Sequence, residues 1–285
     1  MTDSSFAGRT PAGAATDAAP IRFAAPRIDA ALIDLDGTMV DTADDFTAGL
    51  NGMLAQLGAP ATSRDEVIGY VGKGSEHLIQ SVLKPRFPAD EAHARFDDAL
   101  AIYQTEYAKI NGRHTRLYPD VAAGLDALRA AGIRLACVTN KPHRFAVELL
   151  EQYGLAGSFG IVLGGDSVAR KKPDPLPMLT ACDALGVAPD AAVAIGDSEN
   201  DALAGRAAGM ATLTVPYGYN HGKAIQTINS DGIVDSLLVA ARAISAHNAA
   251  PANPLIISSI RMFLNKKRSL SSIDRGAWPW RRWSR

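Results

Sequence analysis

Ala30-Ala31-Leu32-Ile33-Asp34-Leu35-Asp36-Gly37-Thr38 is the stretch whose reading decides the fold: an apolar run stops abruptly at two acids and a glycine. Consecutive apolar residues without polar alternation suit a strand buried on both faces of a parallel sheet, and the acids with Gly37 suit the loop that ends it. The same grammar recurs beyond Pro119. Stretches rich in apolar and β-branched residues at 133–138, 159–163, 192–195 and 212–215 read as strands. Helical patterns fall between them: Val121, Leu125 and Leu128, then 145–153, 176–185 and 201–208. Strands alternating with helices of about ten residues imply right-handed crossovers and a doubly wound, mainly parallel α/β sheet of Rossmann-like type. Such sheets bind ligands outside the carboxyl ends of their strands, so the polar residues there are the candidates for chemistry.

Residues 44–115 read differently. Leu50, Leu54 and Leu57 recur at helical spacing, Ser63-Arg64-Asp65-Glu66 has the spacing of a capping box, and no strand of comparable quality interrupts the stretch. A small all-helical domain is expected there, with the α/β core formed by 29–43 and 116–248. Residues 1–28, rich in Ala, Pro, Ser, Thr and Gly, carry too little large apolar surface to offset ordering and read as a flexible tail. Residues 249–285 read as a second tail: from Pro251 onward there are eight Lys or Arg against Asp274, and all three tryptophans, Trp278, Trp280 and Trp283. Such a tail suits contact with an anionic surface or partner, or is an extension without part in the activity.

The 285-residue chain is 47% hydrophobic and 21% charged, which describes one large or two modest globular domains and excludes collagen-like, mucin-like and disulfide-scaffold classes. A net charge of -1 gives the whole chain no electrostatic reason to seek nucleic acid or an anionic membrane. No run approaches the roughly 20 apolar residues of a membrane span. The first 28 residues lack the basic start and apolar centre of a secretory signal. Cys137 and Cys182 form no CxxC or Cys/His cluster and read as buried reduced thiols. A cytoplasmic location is the expectation.

The predicted strand ends carry compatible chemistry. Asp34 and Asp36, two residues apart on extended backbone, point the same way. Asp197 of Gly196-Asp197-Ser198 adds a third acid, and the mutual repulsion of the three calls for a hard divalent cation with oxygen ligands, such as magnesium. Thr139 and Lys172 offer a hydroxyl and an ammonium suited to phosphate oxygens. Acids for a metal beside donors for an oxyanion describe a phosphoryl-transfer site.

These residues resemble the haloacid dehalogenase superfamily. Asp34-Leu35-Asp36-Gly37-Thr38 followed by Asp41 is similar to its first motif, Thr139-Asn140 to its second, Lys172-Pro173 to its third, and Gly196-Asp197-Ser198 with Asp201 to its fourth, in the family's order. The resemblance spans roughly residues 29–247 and makes the helical stretch its inserted cap. It implies that Asp34 is the nucleophile and that Asp36 is a general acid and then base. It further implies that Mg2+ is held by the Asp34 carboxylate, the Asp36 carbonyl and Asp197, with Asp201 in support. Thr139, the Asn140 N–H and Lys172 would stabilise the transferring phosphoryl group. Lys171 competes for the lysine role, but the family places that lysine directly before proline. Members that cleave carbon–halogen or carbon–phosphorus bonds lack an acid where Asp36 stands, so the resemblance points to a phosphate ester.

Gly164-Gly165-Asp166, Val71-Gly72-Lys73-Gly74 and Tyr217-Gly218-Tyr219-Asn220-His221-Gly222 look like stretches of phosphoglycolate phosphatases within that superfamily. The expected substrate is therefore a small phosphorylated metabolite, 2-phosphoglycolate, with Lys73 gripping its carboxylate and His77 second. Gly72-Lys73-Gly74 also reads as a plain helix-joining turn, and Asp201 as a helix-terminal charge complementing the macrodipole. The alternatives are a phosphatase for a phosphosugar, nucleoside monophosphate or pyrophosphate, and a phosphosugar mutase. A response-regulator receiver shares the Asp, Thr and Lys set but needs neither a helical insertion nor Asp36. A non-catalytic binding protein on this fold would be expected to lose Asp34 or Asp36, and this chain keeps both.

Overall fold

The computed structural model describes residues 21–250. Strand β1 (Ala30–Ile33) leads through the short β2 (Val40–Asp41) into five helices: α1 (Ala43–Gln56), α2 (Arg64–Ile68), α3 (Ser75–Leu83), α4 (Ala89–Ala94) and α5 (Phe96–Ala108). The chain returns through β3 (Arg116–Leu117) and then alternates: α6 (Val121–Ala130), β4 (Arg134–Val138), α7 (His143–Gln152), β5 (Ile161–Leu163), α8 (Leu176–Leu185), β6 (Ala192–Gly196), α9 (Glu199–Ala207), β7 (Ala211–Thr214), β8 (Gly232–Ile233) and α10 (Leu237–Ala249). The main sheet has the order β5-β4-β1-β6-β7-β8, parallel throughout. This is the expected α/β class.

β1 lies at the centre because it is apolar on both faces. Ala31 and Ile33 join one core with residues of α6, α7 and α10, while Ala30 and Leu32 join a second core with α8 and α9, as the two-residue period of a strand requires. A third core, built from Phe46, Leu50 and Leu54 of α1, Ile79 and Val82 of α3, and Tyr103 and Tyr107 of α5, is helical and also takes in Phe145 and Tyr219 from the α/β side. The helical stretch leaves and rejoins the α/β body through the antiparallel pair β2–β3, with Asp41 opposite Arg116.

Two local details differ from the sequence expectations. Ser63 does accept the Glu66 N–H, but the Glu66 carboxylate binds Thr62 and Arg86 instead of closing a capping box, because a guanidinium is the stronger partner. The stretch read as an N-terminal tail also ends too late. Phe23 and Ile28 are buried in the main core, and the Ile28 main chain exchanges two hydrogen bonds with the Asn248 amide. A small-residue composition hides those two large apolar anchors. The remainder of that stretch, 1–20, and the basic Trp-rich stretch 251–285 lie outside the described residues. Cys137 and Cys182 are buried free thiols. Among the described residues no helix is long and apolar enough to cross a membrane.

Candidate active site

The neighbours β4, β1 and β6 end side by side, so the residues that follow them converge: Thr139 after β4, Asp34 after β1 and Asp197 after β6. The loop after β5 brings Lys172 beneath them. Lys172 is buried and directed inward: Nζ donates to Val138 O at 2.6 Å and to Asp201 Oδ1 at 2.6 Å, and lies 2.9 Å from Asp34 Oδ1. Burial pulls this lysine down, yet Asp201 and Asp34 together carry it above the ordinary lysine value. The neighbouring Lys171 instead pairs with Glu76 at the surface, at 2.7 Å. Asp201 Oδ2 accepts from the Ser198 N–H and hydroxyl at the start of α9, as its helix-terminal reading suggested, while Oδ1 meets Lys172.

Asp34, Asp197 and Asp201 each turn one oxygen into a common space, within 4.8 Å of one another. Burial pushes Asp34 up to about 8 against the pull of Lys172, with Asp201 and Asp197 adding to the rise. Burial and Asp201 push Asp197 up to about 7 against hydrogen bonds from the Tyr219 N–H and the Thr38 hydroxyl. Asp34 Oδ1 has no partner in hydrogen-bonding geometry, Lys172 standing close but misaligned. Three crowded carboxylates with an unpartnered buried oxygen fit a hard divalent cation such as Mg2+, which takes carboxylate oxygens and would relieve the repulsion. The backbone is shaped around the same group. A Cβ at Gly37, whose φ is +85°, would stand 2.5 Å from Asp197 Oδ2, and one at Gly218 would overlap the same carboxylate.

The Asp36 carboxylate, expected to point the same way as Asp34 and to crowd with it and Asp197, is not part of that cluster, where Asp201 stands instead; Thr42 and Lys141 draw it aside. Its Oδ1 accepts from the Thr42 hydroxyl at 2.7 Å and from Lys141 Nζ at 3.2 Å. Lys141, which the sequence reading did not single out, is buried; its Nζ also donates to Tyr107 OH at 2.6 Å and lies 4.4 Å and 4.8 Å from the ring centres of Phe46 and Tyr107. Burial drives this lysine below its ordinary range, opposed by Asp36. The available signal was its place in Thr139-Asn140-Lys141-Pro142, directly after a strand end.

Between these groups and the helices lies a cavity of about 30 Å³, lined on the α/β side by Asp34, Asp36, Thr139 and Lys141 and on the helical side by Phe46, Leu78, Tyr103, Tyr107 and the turn around Gly72 and Gly74. Asn140 holds that turn down: its amide donates to Gly72 O and Lys172 O, and Asn200 donates to the same Gly72 carbonyl. Lys73 is exposed and does not line the cavity; nor does half-buried His77. Burial lowers His77 and His221, with the charge of Lys73 adding to each. Asp166, singled out with the glycines before it, accepts from the His143 N–H and so caps α7.

Residues 28–209 match the model of a hydrolase family, the haloacid dehalogenase-like hydrolases. The chain belongs to this family. Among its relatives it is 42% identical over 214 residues to a phosphoglycolate phosphatase of Thiobacillus denitrificans, covering 75% of this chain and 94% of that one. It is 43% identical over 217 residues to a phosphoglycolate phosphatase of Nitrosospira multiformis, covering 76% and 96%. A solved structure, a predicted phosphoglycolate phosphatase of Haemophilus somnus, superposes with a TM-score of 0.69 at 31% identity over 74% of this chain and 95% of that chain. The protein is thus a haloacid dehalogenase-like phosphoric monoester hydrolase whose aspartate cluster is placed to hold a divalent cation.

Proposed function

We propose that this haloacid dehalogenase-like hydrolase cleaves 2-phosphoglycolate to glycolate and phosphate through an aspartyl-phosphate on Asp34. The observation that carries the reading is that Asp34 and Asp36 line one small cavity, in a chain more than 40% identical to relatives that bear the phosphoglycolate phosphatase name. An Asp34 carboxylate oxygen attacks phosphorus as the bond from phosphorus to the glycolate oxygen breaks, and Asp36 gives that oxygen its proton. Water then attacks phosphorus, Asp36 takes its proton, and the bond to Asp34 breaks to release phosphate.

Thr42 and Lys141 hold one Asp36 oxygen, leaving Oδ2 free of protein partners among the described residues for the proton transfers. Lys172, the Thr139 hydroxyl and the Asn140 N–H offset the charge that gathers on the phosphoryl oxygens. Mg2+ would be held by the Asp34 carboxylate, the Asp36 carbonyl and Asp197, with Asp201 bracing through Lys172 and Ser198, and would supply positive charge that keeps these acids ionised and offsets the charge of the phosphoryl group. The helical roof excludes bulk water and large esters. A cytoplasmic setting fits two buried cysteines that remain unpaired.

The test is Mg2+-dependent phosphate release from 2-phosphoglycolate, glucose 6-phosphate, a nucleoside monophosphate and pyrophosphate, with Asp34→Asn alongside. Preference for phosphoglycolate, lost in the variant and on chelation, is expected. A higher kcat/KM on another ester overturns the substrate, and release that persists in Asp34→Asn overturns the nucleophile.

A further inference from the structure

A substrate that carries a carboxylate as well as a phosphate needs two cationic or N–H-rich contacts. Lys172 cannot supply the second, since it is directed into Asp34, Asp201 and the Val138 carbonyl. Lys73, the expected contact, is exposed outside the cavity. Among the residues that line the cavity Lys141 is the one cation. An ammonium has three donors. Two of those on Lys141 are taken, by Asp36 Oδ1 and Tyr107 OH, and the described residues offer no acceptor for the third.

The surroundings make that third donor selective. The Lys141 ammonium sits against the Phe46 and Tyr107 rings, in a wall completed by Tyr103, Leu78 and Phe145. A charge-assisted hydrogen bond is strong where water is excluded, and a neutral group placed there leaves the donor unsatisfied. Lys141 also stands two residues from Thr139, and its own N–H donates to the Thr139 hydroxyl at 3.2 Å, so one short loop presents both the hydroxyl for the phosphoryl group and the cation.

We propose that Lys141 is a specificity-determining residue: its ammonium binds the carboxylate of the substrate, so the enzyme selects short esters that carry a second anionic group next to the phosphate. This rests on the phosphoglycolate reading of the site. Because Lys141 also holds Asp36, its loss slows every ester, and the informative quantity is the ratio of kcat/KM for 2-phosphoglycolate to that for 2-hydroxyethyl phosphate, which has the same chain without the carboxylate.

The wild-type ratio is expected to be large. In Lys141→Met it is expected to fall by about 10- to 100-fold, the range for losing one charge-assisted hydrogen bond. Lys141→Arg, which keeps the cation, should restore part of it. Lys141→Gln keeps a polar partner for Tyr107 if the Met variant fails to fold. In it, the competitive inhibition constants of 3-phosphonopropionate and propylphosphonate should converge, whereas in the wild type the carboxylate-bearing phosphonate should bind at least about tenfold tighter. A wild-type enzyme without preference for the carboxylate ester overturns both the substrate reading and this inference. A wild-type preference that survives intact in Lys141→Met and Lys141→Gln overturns the role of Lys141 alone and leaves it as a positioning residue for Asp36.

Discussion

Stripping divalent cations from the protein and raising the pH from 5 to 7 should destabilise it through the aspartate cluster. Burial, with mutual repulsion adding to it, pushes Asp34 up to about 8 and Asp197 up to about 7 in the metal-free folded chain, against 3.8 for an ordinary aspartate. The unfolded chain gives up both protons by about pH 5, whereas the folded, interacting pair still holds at least one. The folded state therefore binds more protons, and stability falls as pH rises from the unfolded toward the folded value, levelling off above about 8. Counting one proton for the interacting pair, the loss is about 1.4 kcal/mol per pH unit, or about 3 kcal/mol over this interval. For a body of this size that is a fall in Tm of about 6–12 °C.

His77 and His221, lowered by burial, act in the opposite sense, since their unfolded forms bind the extra proton. The cluster is isolated by the difference between the wild type and Asp34→Asn, followed by thermal unfolding in chelator at half-unit steps from pH 5 to 8. The wild-type curve should fall relative to the variant across that range. Mg2+ should raise the wild-type Tm more at pH 8 than at pH 5, since a cation favours the ionised acids. Parallel pH curves for the two metal-free proteins would refute the argument, because they would mean that Asp34 is ionised at pH 5 without a cation.

Gly37→Ala places a side chain at φ +85° and against Asp197, so Mg2+ affinity measured by calorimetry should drop at least about tenfold, with about 1–2 kcal/mol of stability lost to the backbone strain. Asp45 is a buried acid of α1 that accepts from the Gly112 and His114 N–H groups and the Thr115 hydroxyl, pinning the helical stretch where it rejoins β3. Asp45→Ala leaves three donors without their acceptor and should cost about 3 kcal/mol or more in urea unfolding, while an unchanged midpoint would mean that this anchor is dispensable.

The sheet was legible because each of its central strands carries a buried apolar stretch that ends in a polar group, a pattern that depends only on local sequence and the burial of both faces. The end of the N-terminal stretch was not, because Phe23 and Ile28 are anchored by α10, more than 200 residues away. β2, β3 and β8 are two residues each, too short for periodicity to register, and exist because a neighbouring strand offers them a ladder. Ser63 to Glu66 shows the converse limit: the spacing found the helix start, but the Glu66 side chain answered to Arg86, which a local motif cannot foresee.

The two buried lysines mark the same boundary inside the site. Lys172 is readable because everything that fixes it belongs to the α/β body: the Val138 carbonyl at the end of β4, Asp34 after β1, and Asp201 at the start of α9. Any chain with this order of strands brings those three groups to one place. Lys141 stands on an equally regular strand end, yet its environment comes from both parts of the molecule, Asp36 from the loop after β1 and the Phe46 and Tyr107 rings from α1 and α5. Strand order does not determine where those two helices meet the sheet; the packing of a separate core against Phe145 and Tyr219 does. The residues of the shared phosphoryl chemistry were therefore visible as motifs, whereas the residue facing the variable end of the substrate became visible only once the helices were in place.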